Sequence, residues 1–194
     1  MTHKPEPKPQ PTEQPESHLC IHGHFYQPPR DNPVTGRIPR EPSAAPYLNW
    51  NQRINAECYV PNAKLGNFSH ISFNMGDTLI SWLEHNAPQT YQTIIDAEND
   101  YQEAHRGASN ALAQPVHHTI LPLSRRRDKI CQVRWGVASF EYHFGHKPLG
   151  MWLPEMAVDY ETLEILAAEG IHFTILSDEQ VRGYLDEGAG PYRV

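Results

Sequence analysis

The feature that most constrains this chain is an alternation of short apolar runs with helix-length segments. The runs His18–His24, Phe68–Asn74, His117–Leu123, Leu149–Pro154 and Ile171–Ser177 predict strands. Between them, Asp77 caps a predicted helix over 78–86, Pro88 opens one that Gly107 closes, and residues 124–144 form a third that ends at Gly145. Asp159 caps a fourth helix that stops at Gly170, and a further helix starts at Asp178. Strands that alternate with helices specify a parallel α/β sheet or barrel, because each crossover returns the chain to the same end of the sheet. Five strands do not close an ordinary barrel, so the expectation is part of a longer enzyme.

In parallel folds, chemistry collects at the C-terminal ends of the strands. The predicted ends carry His22 and His24, the segment His70–Asn74, His117 with His118, and Trp152–Glu155. Glu155 follows Trp152-Leu153-Pro154 directly. A carboxylate leaving a buried strand beside an indole is expected to be partly desolvated and rigidly held, as a nucleophile or general acid/base needs. The plainer alternative is a carboxylate in the first turn of the next helix, favoured by the dipole. His22 and His24 are two residues apart and share a strand face. With Asp31 and His117 or His118 they are candidate metal ligands; alternatively they hydrogen-bond a polar ligand. On a strand, His117 and His118 point to opposite faces, so at most one reaches a common site. Arg125, Arg126 and Arg127 open a helix, where the dipole disfavours cations, so a solvated or ion-paired face is expected rather than a phosphate site.

Composition narrows the classes. Sixteen Lys and Arg against 23 Asp and Glu give a net charge of −7, a poor field for nucleic acid or an anionic membrane. Twelve His, nine Tyr and four Trp suit a polar, ring-stacking pocket. Cys20, Cys58 and Cys131 are odd in number, widely separated and without a CxxC pair, which argues against a disulfide framework or a zinc ribbon. They are expected as buried, reduced thiols in a cytoplasmic protein. No apolar run approaches the roughly 20 residues a membrane helix needs, and the first residues lack the apolar core of a secretory signal. Residues 1–17 are rich in Pro, Glu, Gln and Lys and cannot offset their ordering entropy, so a disordered tail is expected before a domain over 18–194. Residues 27–63 hold several prolines and read as a long ordered loop whose Tyr47, Trp50 and Tyr59 pack against the domain.

Four motifs, in order, then resemble one family. His22-Gly23-His24-Phe25-Tyr26-Gln27-Pro28-Pro29 is similar to the first motif of glycoside hydrolase family 57, the α-glucan amylases, glucanotransferases and branching enzymes. Ser72–Leu83 resembles the family's strand-plus-helix segment around a Phe-Asn pair, His117–Leu123 its His-Pro-x-Leu-Pro-Leu strand end, and Lys147–Asp159 the segment with the catalytic nucleophile. The resemblance implies an incomplete (β/α) barrel of seven strands, of which this chain holds about five βα units, with retaining chemistry, no metal or other cofactor, and Glu155 as nucleophile. Sugar contacts then fall to His22, His24, Gln27, His117, His118 and Trp152, and the partner is an α-glucan or oligosaccharide. Tyr26 stands where the family's His-Gln-Pro begins, and Asp77 stands where a Pro is common. Nothing in the chain matches the motif of the acid/base Asp, which is expected beyond residue 194; Asp159, four residues from Glu155, reads as a helix cap. On this reading residues 1–194 alone are an inactive fragment. A metal-dependent deacetylase-like hydrolase and a non-catalytic glucan-binding domain are the competing classes.

Overall fold

A computed structural model describes residues 19–180. The expected tail over 1–17 and the body of the helix expected from Asp178 lie outside them. The centre is a parallel sheet in the order β1 (His22–Phe25), β2 (Ser72–Met75), β3 (Ala111–Leu112). Register sets His22 opposite Ser72, His24 opposite Asn74, and Asn74 opposite Leu112. Parallel pairing continues as single bridges, Ala113 to Met151 and Gly150 to Phe173. The sheet class expected from the sequence is therefore present, with three strands formed as such.

The third strand is not where the apolar pattern suggested. Residues 117–120 carry no strand, and Ala111–Leu112 form it instead. Pro115 precedes the predicted run and Pro122 lies within it, and neither has a ladder donor to give. The Val116 amide bonds Gln132 O, 3.1 Å away on the following helix, rather than a neighbouring strand.

Helices cover the sheet. Residues 50–64, expected as loop, are helical: α1 (Trp50–Ile54) is capped by Asn49, whose Oδ1 accepts from Gln52 N at 3.0 Å. One wide turn, Asn55–Tyr59, leads into α2 (Val60–Lys64), with Pro61 near its start. A widened turn makes room for a proline that would otherwise clash with the preceding turn. Burial of Asn51, Tyr59 and Ala63 stabilises this helix, a tertiary contribution that propensity does not register. The helices α3 (Asp77–Asn86), α4 (Pro88–Ala104), α5 (Arg126–Phe144) and α6 (Tyr160–Ala168) lie close to the predicted spans. Their apolar faces supply Leu79, Leu83, Ile94, Val133, Phe140 and Ile165 to one core with Phe68, Phe73 and Met151. Asp77 does not cap α3 with its side chain; Gly76 is the cap residue, and Asp77 Oδ1 accepts from Ser139 Oγ at 2.6 Å. Among the described residues, no helix is long and apolar enough to cross a membrane.

Asp159 is the expected cap of α6: its Oδ1 accepts from Thr162 N at 2.7 Å. Its Oδ2 also accepts from Lys129 Nζ at 2.7 Å, and Glu161 lies 2.9 Å from the same ammonium, whose side chain is only 2% exposed. Asp159→Ala leaves that buried cation with one partner and removes the cap, an expected loss of about 3 kcal/mol in denaturant unfolding of the full-length protein. The Lys129 hydrogen bond, helped by Thr162, pulls the Asp159 carboxyl from 3.8 to about 2. A folded-state value below the unfolded one gives stability that is fully present above the ordinary value and is lost as pH falls through the folded one. The gap between wild type and variant should hold at pH 4 and above, and shrink as pH falls toward about 2. A gap of the same size at both ends would separate Asp159 from this ion pair.

Candidate active site

The strand ends build one cluster. Period two puts His22 and His24 of β1 on the same face as Ser72 and Asn74 of β2. His22 Nδ1 lies 2.8 Å from Ser72 Oγ and its Nε2 3.1 Å from Asn74 Oδ1. His24 Nδ1 lies 3.1 Å from the same Oδ1, and Asn74 Nδ2 donates to Gln114 Oε1 at 2.6 Å. The Trp152 ring stacks on both imidazoles, with centroids 5.1 Å from His22 and 4.9 Å from His24. Burial lowers the pKa of both histidines below the ordinary value, against the opposing pull of the Asn74 hydrogen bond. Neutral imidazole both donates and accepts, which suits a sugar hydroxyl.

The loop after β3 brings in His118. Its Nε2 lies 3.2 Å from His24 Nε2, so one ring donates and the other accepts. Tyr26 stacks on His118 with centroids 4.3 Å apart. His117 points away and is exposed; its backbone N–H donates to Gln132 Oε1 at 2.9 Å. One member of the His pair therefore joins the cluster, although in a loop rather than on a strand. Gln27 stands apart as well. Its Nε2 donates to Tyr59 Oη at 3.1 Å, and its Oε1 accepts from Arg30 Nη2 at 3.2 Å. Arg30 in turn reaches Glu41 at 2.8 Å and Asn51 at 2.9 Å, so Gln27 braces the 28–59 segment.

Glu155 sits on the same rim, its Oε1 4.0 Å from His118 Nε2. Its backbone is left-handed, with φ 58° and ψ 16°, and Met156 follows with φ 52°. Non-glycine residues held this way cost on the order of 1–3 kcal/mol each, and persist where their surroundings force them. Met156 N bonds Leu153 O at 2.8 Å, Ala157 N bonds Pro154 O at 3.1 Å, and Gln180 Nε2 donates to Met156 O at 2.8 Å. Rigid placement is thus met. The expected desolvation is not met among the described residues, where the Glu155 side chain is 70% exposed.

For a metal, the donor set fits poorly. Both ring nitrogens of His22 are engaged by Ser72 and Asn74. Among the described residues, no three His, Cys, Asp or Glu side chains form a cation-holding group, Asp31 with the histidines included.

The sequence pattern of glycosyl hydrolase family 57 matches residues 32–194. The chain belongs to this family. It is 28% identical over 109 residues to alpha-amylase 1 of Dictyoglomus thermophilum, covering 56% of this chain and 15% of that one. It is 43% identical over 53 residues to a 1,4-alpha-glucan branching enzyme of Thermococcus kodakarensis, covering 27% and 8%. The fold superposes on the crystal structure of the 4-alpha-glucanotransferase from Thermococcus litoralis with a TM-score of 0.60 at 17% identity, over 82% of this chain and 22% of that one. The chain therefore spans less than a quarter of each of these family 57 proteins.

Within this member of family 57, sequence reasoning found His22, His24, His118, Trp152 and Glu155, which the fold brings to one rim. It missed Ser72 and Gln114. Ser72 carried a usable signal, since it alternates with Asn74 as His22 does with His24. Gln114 carried none, because it follows a strand that the pattern misplaced.

Proposed function

We propose that the protein is a retaining enzyme acting on α-glucans, a hydrolase or a glucan transferase, with Glu155 as nucleophile. The Glu155 carboxylate attacks the anomeric carbon as the bond from that carbon to the leaving oxygen breaks, and an Asp outside residues 1–194 protonates that oxygen. The glycosyl-enzyme is then resolved by water or an acceptor hydroxyl, whose proton passes to the same Asp. His118 hydrogen-bonds a sugar hydroxyl through its second ring nitrogen, His22 and His24, whose ring nitrogens bond Ser72, Asn74 and His118, hold the platform in place, and Trp152 offers its ring as a stacking face. Closure of the sheet into the family's seven-stranded barrel belongs to the same proposal, as does the inactivity of residues 1–194 alone.

The observation that carries this reading is a carboxylate on a constrained left-handed turn, on the same rim as His24 stacked on Trp152 and tilted against His118. Family membership and the activities of the relatives, an amylase and a branching enzyme, support the substrate class. The test is proton NMR of maltohexaose turned over by the full-length protein in excess EDTA. Turnover should continue, and the first product anomer should be α. Loss of activity on chelation, with one zinc bound per chain, would favour the metal-dependent hydrolase instead. Binding without turnover would leave a glucan-binding module.

A further inference from the structure

The Glu155 carboxylate is aimed by its backbone. Among the described residues it accepts no hydrogen bond, and the His118 ring nitrogen beside it stands 4.0 Å off. What fixes the side chain is therefore the turn, left-handed at Glu155 and again at Met156. Two bonds close that turn on itself, Met156 N to Leu153 O and Ala157 N to Pro154 O. Neither ties it to a distant part of the fold. Two consecutive residues that disfavour this conformation relax unless their surroundings hold them.

Gln180 supplies that hold. Its Nε2 donates to Met156 O at 2.8 Å, across 24 residues of chain. The other end of the amide is engaged too. Its Oε1 accepts from Ser177 N at 2.9 Å, while Gln180 N donates to Ser177 O at 3.0 Å. Only one orientation of this amide works. A backbone N–H only donates and a backbone carbonyl only accepts, so turning it over would set donor against donor and acceptor against acceptor. The reciprocal pair with Ser177 shapes the side chain for its reach to Met156. The segment before it is anchored in the sheet, since His172 N bonds Leu149 O at 2.8 Å and Met151 N bonds Phe173 O at 3.1 Å. The chain thus leaves the sheet after Met151, makes the turn and α6, returns beside its own start and closes on the turn.

We infer that Gln180 is a positioning residue of the nucleophile: its amide clamps the Met156 carbonyl and so holds Glu155 in the left-handed conformation that presents its carboxylate at the rim. The inference rests on reading Glu155 as the nucleophile. It assigns Gln180 no contact with the sugar.

Two variants of the full-length protein test it. Gln180→Met keeps the length and removes both ends of the clamp; Gln180→Glu keeps an oxygen for Ser177 N and loses the donor to Met156 O. Amide exchange of Met156 and Ala157, followed by NMR, reports opening of the turn without any substrate. Both variants should exchange there about tenfold faster, the worth of one hydrogen bond. With maltohexaose, kcat should fall about tenfold and KM stay within about twofold, because the attacking atom is misplaced while the sugar contacts remain. Met156→Gly in the Gln180→Met background adds a rescue. Glycine enters the left-handed region freely, so the double variant should regain part of the lost kcat. A general loss of stability would not respond to that change. Unchanged exchange or unchanged kcat in a folded Gln180→Met protein would overturn the inference. A raised KM at wild-type kcat would overturn it as well, by making Gln180 a sugar contact. The underlying reading fails differently: Glu155→Gln would then keep full turnover, while amide exchange in the Gln180 variants would still rise.

Discussion

Glu155→Gln lowers turnover of α-glucan by the full-length protein about a thousandfold or more, while glucan affinity survives. The substitution keeps shape and the hydrogen bonds of the rim and removes only the attacking oxygen anion. A thousandfold corresponds to about 4 kcal/mol of lost transition-state stabilisation. Trp152 and the histidines remain to hold the sugar, so calorimetric titration with maltohexaose should give a dissociation constant within a few-fold of wild type. The role itself is decided by rescue. In Glu155→Gly a small anion such as azide enters the vacated space and attacks the anomeric carbon from the face that Glu155 occupied, giving a glycosyl azide of inverted configuration. Retained configuration under the same rescue would make Glu155 the acid/base instead, and full activity of the Gln variant would remove it from the chemistry. The backbone adds a second readout. Glu155 has φ 58°, a conformation that costs an L-residue roughly 1–2 kcal/mol and glycine almost nothing. Glu155→Gly should therefore unfold at a higher temperature than Glu155→Gln, despite the greater freedom of its unfolded chain. A residue that raises stability when removed and abolishes turnover is what strain held for function predicts.

Gly136→Ala is the second large expectation, and it acts through packing. A Cβ at Gly136 would lie 2.0 Å from the backbone oxygen of Gln114 and 3.1 Å from Pro115 Cα. The obstacle is main chain next to a proline, so no side-chain rotation relieves it. The same stretch is pinned to α5 by Val116 N to Gln132 O and by His117 N to Gln132 Oε1. Helix and loop must move apart together, at a cost of about 3 kcal/mol, the upper part of the range for overpacking. Because that loop carries Gln114 and His118, maltohexaose affinity should fall as well. Denaturant unfolding and titration of the full-length variant check both. A loss under about 0.5 kcal/mol would mean that the contact is not rigid.

Much of the site was legible because its chemistry is concentrated in rare residues at strand ends. Two histidines at spacing two announce one face wherever a strand forms, and Trp152-Leu153-Pro154-Glu155 marks a rim by composition alone. The exposure of Glu155 was not legible. Nor was the left-handed backbone at that glutamate and at the methionine after it, since neither residue favours that conformation. Gln27 is a sugar contact by its motif alone, and in the fold its amide bonds Arg30 and Tyr59.

Local periodicity by itself determined the parallel α/β class, helices α3 to α6, the Asp159 cap and the arrival of His22, His24, Trp152 and Glu155 at one edge. The helices and the cap depend on neighbours within a turn or two of the chain, and the shared edge follows from the rule that parallel strands present their C-terminal ends on one side. Tertiary structure alone decided that Ala111–Leu112 are the third strand, that residues 50–64 are helical, that His118 rather than His117 joins the site, and that Gln114 meets Asn74. Each of those rests on a partner far away in sequence: Gln114 is 40 residues from Asn74, and His118 is 94 from His24. A buried amide has no periodicity of its own. Its meaning comes from the donor or acceptor it faces, and only the packed sheet supplies that.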